Sequence, residues 1–249
     1  MQQSNGYIIT FSVILTVVLG LLLSGTSQLL GPIQKKAVEL DTKKQILGAV
    51  LESSKLNAMK SEEILEFYDN RISSKVVDYE GNEIEKDDDG NEIVAENVDV
   101  AKNYKLAPEK RKYPVFIFHQ EGNEDDAEAI IVQLYGAGLW DEIWGFLALD
   151  TDLNTIEGVT FGHKGETPGL GARITEGSVQ NRYQGKKIFD DSGEFQSVEM
   201  QKGEGKDYSG DDHKVDGLSG ATITANGVNA MLENYLKAYK SYFEKRQKS

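Results

Sequence analysis

The chain has 249 residues, room for one large domain or two small ones, and a formal net charge of −14. That acidity argues against a nucleic-acid partner, whose phosphates demand a basic face. With no cysteine, and three histidines (His119, His163, His213) at no zinc spacing, there are no disulfides, thiolate nucleophiles or cysteine-held iron–sulfur clusters. Any redox chemistry therefore falls to an organic cofactor.

Residues 2 to 34 contain no charged side chain, and Tyr7 to Leu30 is a long, predominantly apolar run. A bilayer core of about 30 Å needs about 20 helical residues, which this run supplies. A cleaved signal peptide competes with that reading. Against it, no Lys or Arg precedes the long apolar run and no convincing small-x-small cleavage site follows. The sequence thus predicts a transmembrane anchor over 1–34 and a soluble domain over 35–249. Lys35, Lys36, Lys43 and Lys44 follow the apolar run, so the positive-inside rule directs the domain to the cytoplasm.

Asp41 is read as the N-cap of a helix over Gln45 to Leu51. Ser61 is read as the cap of a second helix through Tyr68, with Glu62 and Glu63 at the positive end of its dipole. An acidic insert from Val77 to Val98 repeats itself, Glu80-Gly81-Asn82-Glu83-Ile84 and Asp89-Gly90-Asn91-Glu92-Ile93, in the manner of hairpin turns. Glu85, Asp87, Asp89, Gly90 and Glu96 almost spell a calcium loop. Glu at position one, Glu92 at an aliphatic position and non-helical flanks favour a solvated acidic turn instead.

Strand-length apolar runs follow at Val115 to Phe118, Ile130 to Leu134, Trp144 to Leu149 and Ile156 to Phe161, the last two joined by a turn over 150–154. Shorter strands are expected at Lys187 to Phe189 and Ser197 to Met200. Val228, Met231, Leu232, Tyr235, Leu236, Tyr239 and Phe243 then form one stripe of a closing helix. Helices at both ends of a strand-rich middle give an α+β fold: one N-terminal transmembrane helix and a mixed α/β domain.

Three blocks carry chemistry. In Val215-Asp216-Gly217-Leu218-Ser219-Gly220-Ala221-Thr222, small residues let the backbone approach another group, and helical periodicity begins directly behind. Free N–H groups and the helix dipole make such a place suitable for phosphate, or the turn simply caps the helix. The Ser219 hydroxyl serves either reading. In His163-Lys164-Gly165-Glu166-Thr167-Pro168-Gly169-Leu170-Gly171, Pro168-Gly169 is the central pair of a type II turn. The third block, Gly136-Ala137-Gly138-Leu139-Trp140, offers Trp140 as a stacking ring or as core, and Trp144 is assigned to the core. Lys214, His163 and His213 read as solvated side chains.

The first block resembles the flavinylation motif of FMN-binding domains in membrane respiratory complexes. Its continuation Ile223-Thr224-Ala225-Asn226-Gly227-Val228-Asn229, with Glu-Thr-Pro-Gly-Leu-Gly and Gly-x-Gly-Leu-Trp, is similar to the C subunits of the sodium-translocating NADH:quinone reductases. That resemblance implies FMN joined through its phosphate to Thr222 by a flavin transferase that reads Asp216. Ser219, Gly220 and Ala221 would line the phosphate, and Glu166, Thr167, Gly169, Leu170 and Trp140 the flavin. It further implies electron transfer within a multisubunit complex of the bacterial inner membrane, the domain facing outward, against the lysine bias. Two alternatives stand: the G subunit of the related ion-translocating electron-transport complex, and a membrane-anchored binding module without redox chemistry.

Overall fold

The structure, a computed structural model, describes residues 4–87 and 89–248. It divides into two compact units, Met1–Thr42 and Lys43–Ser249.

The first unit is one helix, α1 (Asn5–Gly48), whose last residues belong to the second unit. Residues 1–3 of the expected anchor lie outside the described residues. Ile9, Leu21, Leu23 and Leu29 are exposed, and the helix is long and apolar enough to cross a membrane. Thr16 and Thr26 donate their hydroxyls to the carbonyls of Ser12 and Leu22 at 2.8 Å, so neither needs water. Asp41 does not cap a new helix, because α1 runs straight through it. No glycine or proline interrupts the chain between Pro32 and Gly48, and nothing else there stops a helix.

The second unit is built on a five-stranded meander. β1 (Ile72–Val77), β2 (Tyr113–Gln120), β3 (Asn123–Ala137), β4 (Glu142–Asp150) and β5 (Ile156–His163) lie in sequence order. Each pairs antiparallel with the next. Alternation along the strands sorts side chains to two buried faces. Val115, Ile117, Ile130, Val132, Leu134, Leu147 and Val159 share a core with the closing helix α6 (Thr222–Arg246). Every residue of the expected α6 stripe is buried, and a fully buried Leu or Phe contributes about 1.5–3 kcal/mol.

The opposite face carries Phe116, Phe118, Phe146 and Ala148. It is covered by the end of α1, by α2 (Ser53–Ala58) and by α3 (Ser61–Arg71). Thr160 Oγ1 donates to the Gln45 carbonyl at 3.0 Å, and Trp144 Nε1 donates to Gln45 Oε1 at 3.0 Å. The Phe67 ring stacks 6.5 Å from Phe118. Ser61 does not cap α3. Lys60 precedes its first residue, and the Lys60 N–H donates to Glu63 Oε2 at 2.7 Å.

The acidic insert forms two copies of one turn. In Asp78–Asn82 and Asp87–Asn91 the glycine N–H donates to the Asp carbonyl at 3.0 Å. Gly81 and Gly90 have φ of 79° and 84°, the left-handed residue such three-residue turns require. Asp87 spends its carboxylate on the N–H groups of Asp89 and Asn91; Asp88 lies outside the described residues. A third copy at Asp190–Glu194 has the same closure. It directly follows Lys187 to Phe189, where the apolar pattern predicts a strand. That stretch makes only isolated bridges, Thr155 to Lys187 and Phe189 to Phe195.

The remaining elements are short. α4 (Val100–Tyr104) precedes β2, and α5 (Gly177–Gln180) follows a 3-10 turn over Gly171–Thr175. β6 (Glu199–Met200) and β7 (Lys214–Val215) pair in parallel beside the start of α6.

Candidate functional site

The N-terminus of α6 is held by backbone approach. A side chain on Gly217 would strike the carbonyls of Gln201 and Gly203, so only glycine lets the segment pass beneath that loop. Leu218 is buried, and Gly220, with φ of 76°, turns the chain into the helix. Its N-cap residue, Ala221, has no side chain that can cap, and among the described residues no other side chain accepts from the N–H groups of the first turn of this 25-residue helix. Its leading N–H groups and the positive end of its dipole are thus available to an anion. Thr222 is the first helical residue and is exposed, as are Ser219 and Gly220, while Ala221 is buried. Thr224 is buried as well, with 1% of its surface exposed.

The second block forms the expected turn. Leu170 N–H donates to the Thr167 carbonyl at 3.1 Å, and Gly169 has φ of 74°. Leu170 is 41% exposed and passes close to Gly220. The third block presents Trp140, 69% exposed, whose indole N–H donates to Thr167 Oγ1 at 3.2 Å. Leu139 and Ile223 are exposed too. Large exposed apolar side chains therefore sit on the same segments that flank Thr222.

One carboxylate joins the three blocks. Glu166 is 4% exposed; Oε1 accepts from Trp140 N–H at 3.0 Å and Oε2 from Thr224 Oγ1 at 2.5 Å. A Cβ at Gly138 or Gly171 would run into that carboxylate. Burial alone would raise the Glu166 pKa, but the bonds from Thr224, Trp140 and Leu139 outweigh it and hold the carboxyl below its ordinary value. The Glu166 N–H donates to His163 Nδ1 at 3.3 Å, so His163 has a local partner that the sequence did not announce. His213 also has one: its Nδ1 lies 3.1 Å from the Gln196 carbonyl.

A charged network backs the motif from the other side. Glu204 receives both Arg173 guanidinium nitrogens, at 2.9 and 2.7 Å, Arg182 at 3.3 Å and the Ser219 N–H at 3.2 Å. The Arg173 hydrogen bonds lead in pushing the Glu204 pKa down to about 2. Arg182 also donates to the carbonyls of Asp216 and Gly217. Asp216 spends its own carboxylate on the neighbouring loop, accepting from Gly205 N–H at 2.7 Å and Lys206 N–H at 3.1 Å. Lys214 is paired with Asp211 at 2.7 Å and does not face Thr222's motif as a free cation.

Sequence reasoning missed Glu204, Arg173 and Arg182, and it named Glu166 without its bond to Thr224. The three charged residues fall outside the motif blocks, in segments whose meeting no local pattern announces. An exposed hydroxyl on an uncapped helix end, beside exposed Trp140, Leu170, Leu139 and Ile223, fits a ligand with a phosphate and a flat apolar ring.

Comparison with known proteins gives the same picture. The FMN-binding domain family matches residues 138–237, a span that opens at Gly138 and takes in all three segments meeting at Glu166. The C subunit of the Na(+)-translocating NADH-quinone reductase from Yersinia pestis is 32% identical over 91% of this chain and 86% of the relative. Its counterpart from Chlamydia muridarum is 32% identical over 94% of this chain and 90% of the relative. Among solved structures, the C subunit from Parabacteroides distasonis superposes with a TM-score of 0.69 at 38% identity, covering 85% of this chain and 95% of that one. NqrC from Shewanella oneidensis gives a TM-score of 0.69 at 25% identity, covering 86% and 100%.

Proposed function

The chain belongs to the family of Na(+)-translocating NADH-quinone reductase C subunits, and from that premise we propose that it is an electron-transfer subunit carrying FMN as a phosphoester on Thr222. Thr222 would supply the ester oxygen. The leading N–H groups of α6, with the exposed Ser219 and Gly220, would face the phosphate. Ala221, buried beneath them, shapes the turn. Trp140 and Leu170 would give the flavin ring apolar cover, while Thr167 and the turn at Gly169 hold those side chains in place. When bound, FMN supplies one- and two-electron redox chemistry, and the protein's share is to fix the ring and keep its surroundings constant.

In this reading α1 anchors the domain in the bacterial inner membrane, the domain faces the outer side, and a flavin transferase loads it there. The other subunits of the reductase are its partners and supply its electrons.

The observation that carries the proposal is the contrast between two threonines. Thr222 is exposed at an uncapped helix end, whereas the Thr224 hydroxyl is buried and spent on Glu166. The test is fluorescence of the denatured band after co-production with a flavin transferase, with the flavin located by peptide mass. Thr222→Val, which keeps the β-branched shape and removes the oxygen, should give a dark band beside a bright wild type. A bright Thr222→Val band would refute the assignment.

A further inference from the structure

We infer that Glu166 is a positioning residue, a latch that fixes the first turn of α6 and so aims the Thr222 hydroxyl; this rests on Thr222 being the flavin acceptor. Both carboxylate oxygens are already engaged, one by Trp140 N–H and the other by the Thr224 hydroxyl. The group is almost fully buried, and Gly138 and Gly171 close around it. It is therefore shut off from the surface on which Thr222, Thr167 and Leu170 lie exposed.

A buried carboxylate is costly unless it is hydrogen-bonded, and here the donors come from two different segments. The cost of burying Glu166 is offset only when the loop at 138–140, the turn at 166–171 and the start of α6 are assembled together. A helix advances about 100° per residue, so side chains two apart point to nearly opposite sides. Anchoring Thr224 inward thus sets the rotation of the first turn and sends Thr222 outward. The two glycines acquire a role from the same geometry: each leaves the space that a carboxylate oxygen fills.

The test uses the full-length chain, produced with and without a flavin transferase, in four variants: Thr224→Val, Thr224→Ser, Glu166→Gln and the Glu166→Gln/Thr224→Val double. Covalent flavin is followed in time by gel fluorescence, and amide exchange of residues 225–228, where the helical hydrogen bonds begin with Ala225 N–H to the Ala221 carbonyl, is measured on the flavin-free chain. Thr224→Val should slow attachment about tenfold, the scale of one lost hydrogen bond to a charged group, and should speed exchange at the helix start. Thr224→Ser keeps the hydroxyl and should restore both. The double variant should cost no more than the worse single, because both substitutions break the same contact. Costs that multiply, or a slow Glu166→Gln beside a wild-type-like Thr224→Val, would overturn the latch and make Glu166 a direct flavin contact. Should the wild type take no flavin at Thr222, the acceptor assignment fails by itself, and exchange in the flavin-free chain still decides whether Glu166 and Thr224 act as one.

Discussion

Asp216 shows how a residue legible in a motif can work differently from its apparent role. The resemblance presents it as an acid read by a transferase, yet its carboxylate accepts two backbone N–H groups from the neighbouring loop at Gly205 and Lys206. Asp216→Ala should free that loop and cost roughly 1–2 kcal/mol, the scale of charge-assisted bonds that are partly exposed. Thermal melting of the flavin-free chain checks this, and an unchanged melting point would return Asp216 to pure recognition. Glu204 adds a pH dependence. Its pKa is held at about 2 against an ordinary 4.5, so its contribution is fully present above about pH 4.5 and is lost as pH falls toward 2. The melting temperature of the wild type should therefore fall more steeply across that window than that of Glu204→Gln, which has no carboxylate to protonate. Parallel curves would remove Glu204 from the account.

At the scale of elements, the contact between α6 and the end of β3 decides where the start of α6, with the proposed acceptor Thr222, sits. A Cβ at Gly136 would press on Met231, and one at Gly227 would strike the Ala137 carbonyl. Alanine in place of a helix-interior glycine ordinarily stabilises by about 1 kcal/mol. Gly227→Ala should reverse that sign, since overpacking against backbone costs about 1–3 kcal/mol; a lowered melting temperature is expected and a raised one would show that the helix shifts freely. This packing also explains what could be read in advance. The α6 stripe and the apolar runs of β2, β4 and β5 follow side-chain periodicity, which burial enforces directly. β3 reaches back to Asn123 through a polar stretch because pairing with β2 through Gln120 and Asn123 holds it, and pairing leaves no mark in composition. α1 ignores Asp41 because a cap residue stops nothing when helix formers continue beyond it. The site divides in the same way. Thr222 and the Pro168–Gly169 turn stand in contiguous motifs. The Glu166–Thr224 contact joins residues 58 apart in sequence, and the Glu204 cluster joins four separated segments, so both exist only once the chain has folded.

At the scale of the whole molecule, charge and chemistry bear on which side of the membrane the FMN-binding domain occupies. Lys35, Lys36, Lys43 and Lys44 follow the apolar run of α1, and no cation precedes it among residues 2 to 34, which by the positive-inside rule would retain the domain in the cytoplasm. The fold weakens that bias. Lys43 is committed to the folded domain, paired with Asp69 at 2.8 Å and lying over the Tyr68 ring at 4.8 Å. Lys35 and Lys36 precede that domain and still count toward orientation, so the bias is reduced and not removed. The proposed acceptor, Thr222, is useful only where a flavin transferase meets it, and the family resemblance implies that this meeting is on the outer side. An alkaline phosphatase fused after Ser249, a residue beyond the described ones, should therefore be active, and a reporter that matures only in the cytoplasm should be silent. The opposite pair of results would reverse the orientation. A second variant decides the matter independently of reporter behaviour: Gln2→Lys with Gln3→Lys adds positive charge ahead of the helix. A chain whose N-terminus already lies inside should keep its phosphatase activity unchanged, whereas one inserted the other way should gain activity as the added lysines draw its N-terminus inward.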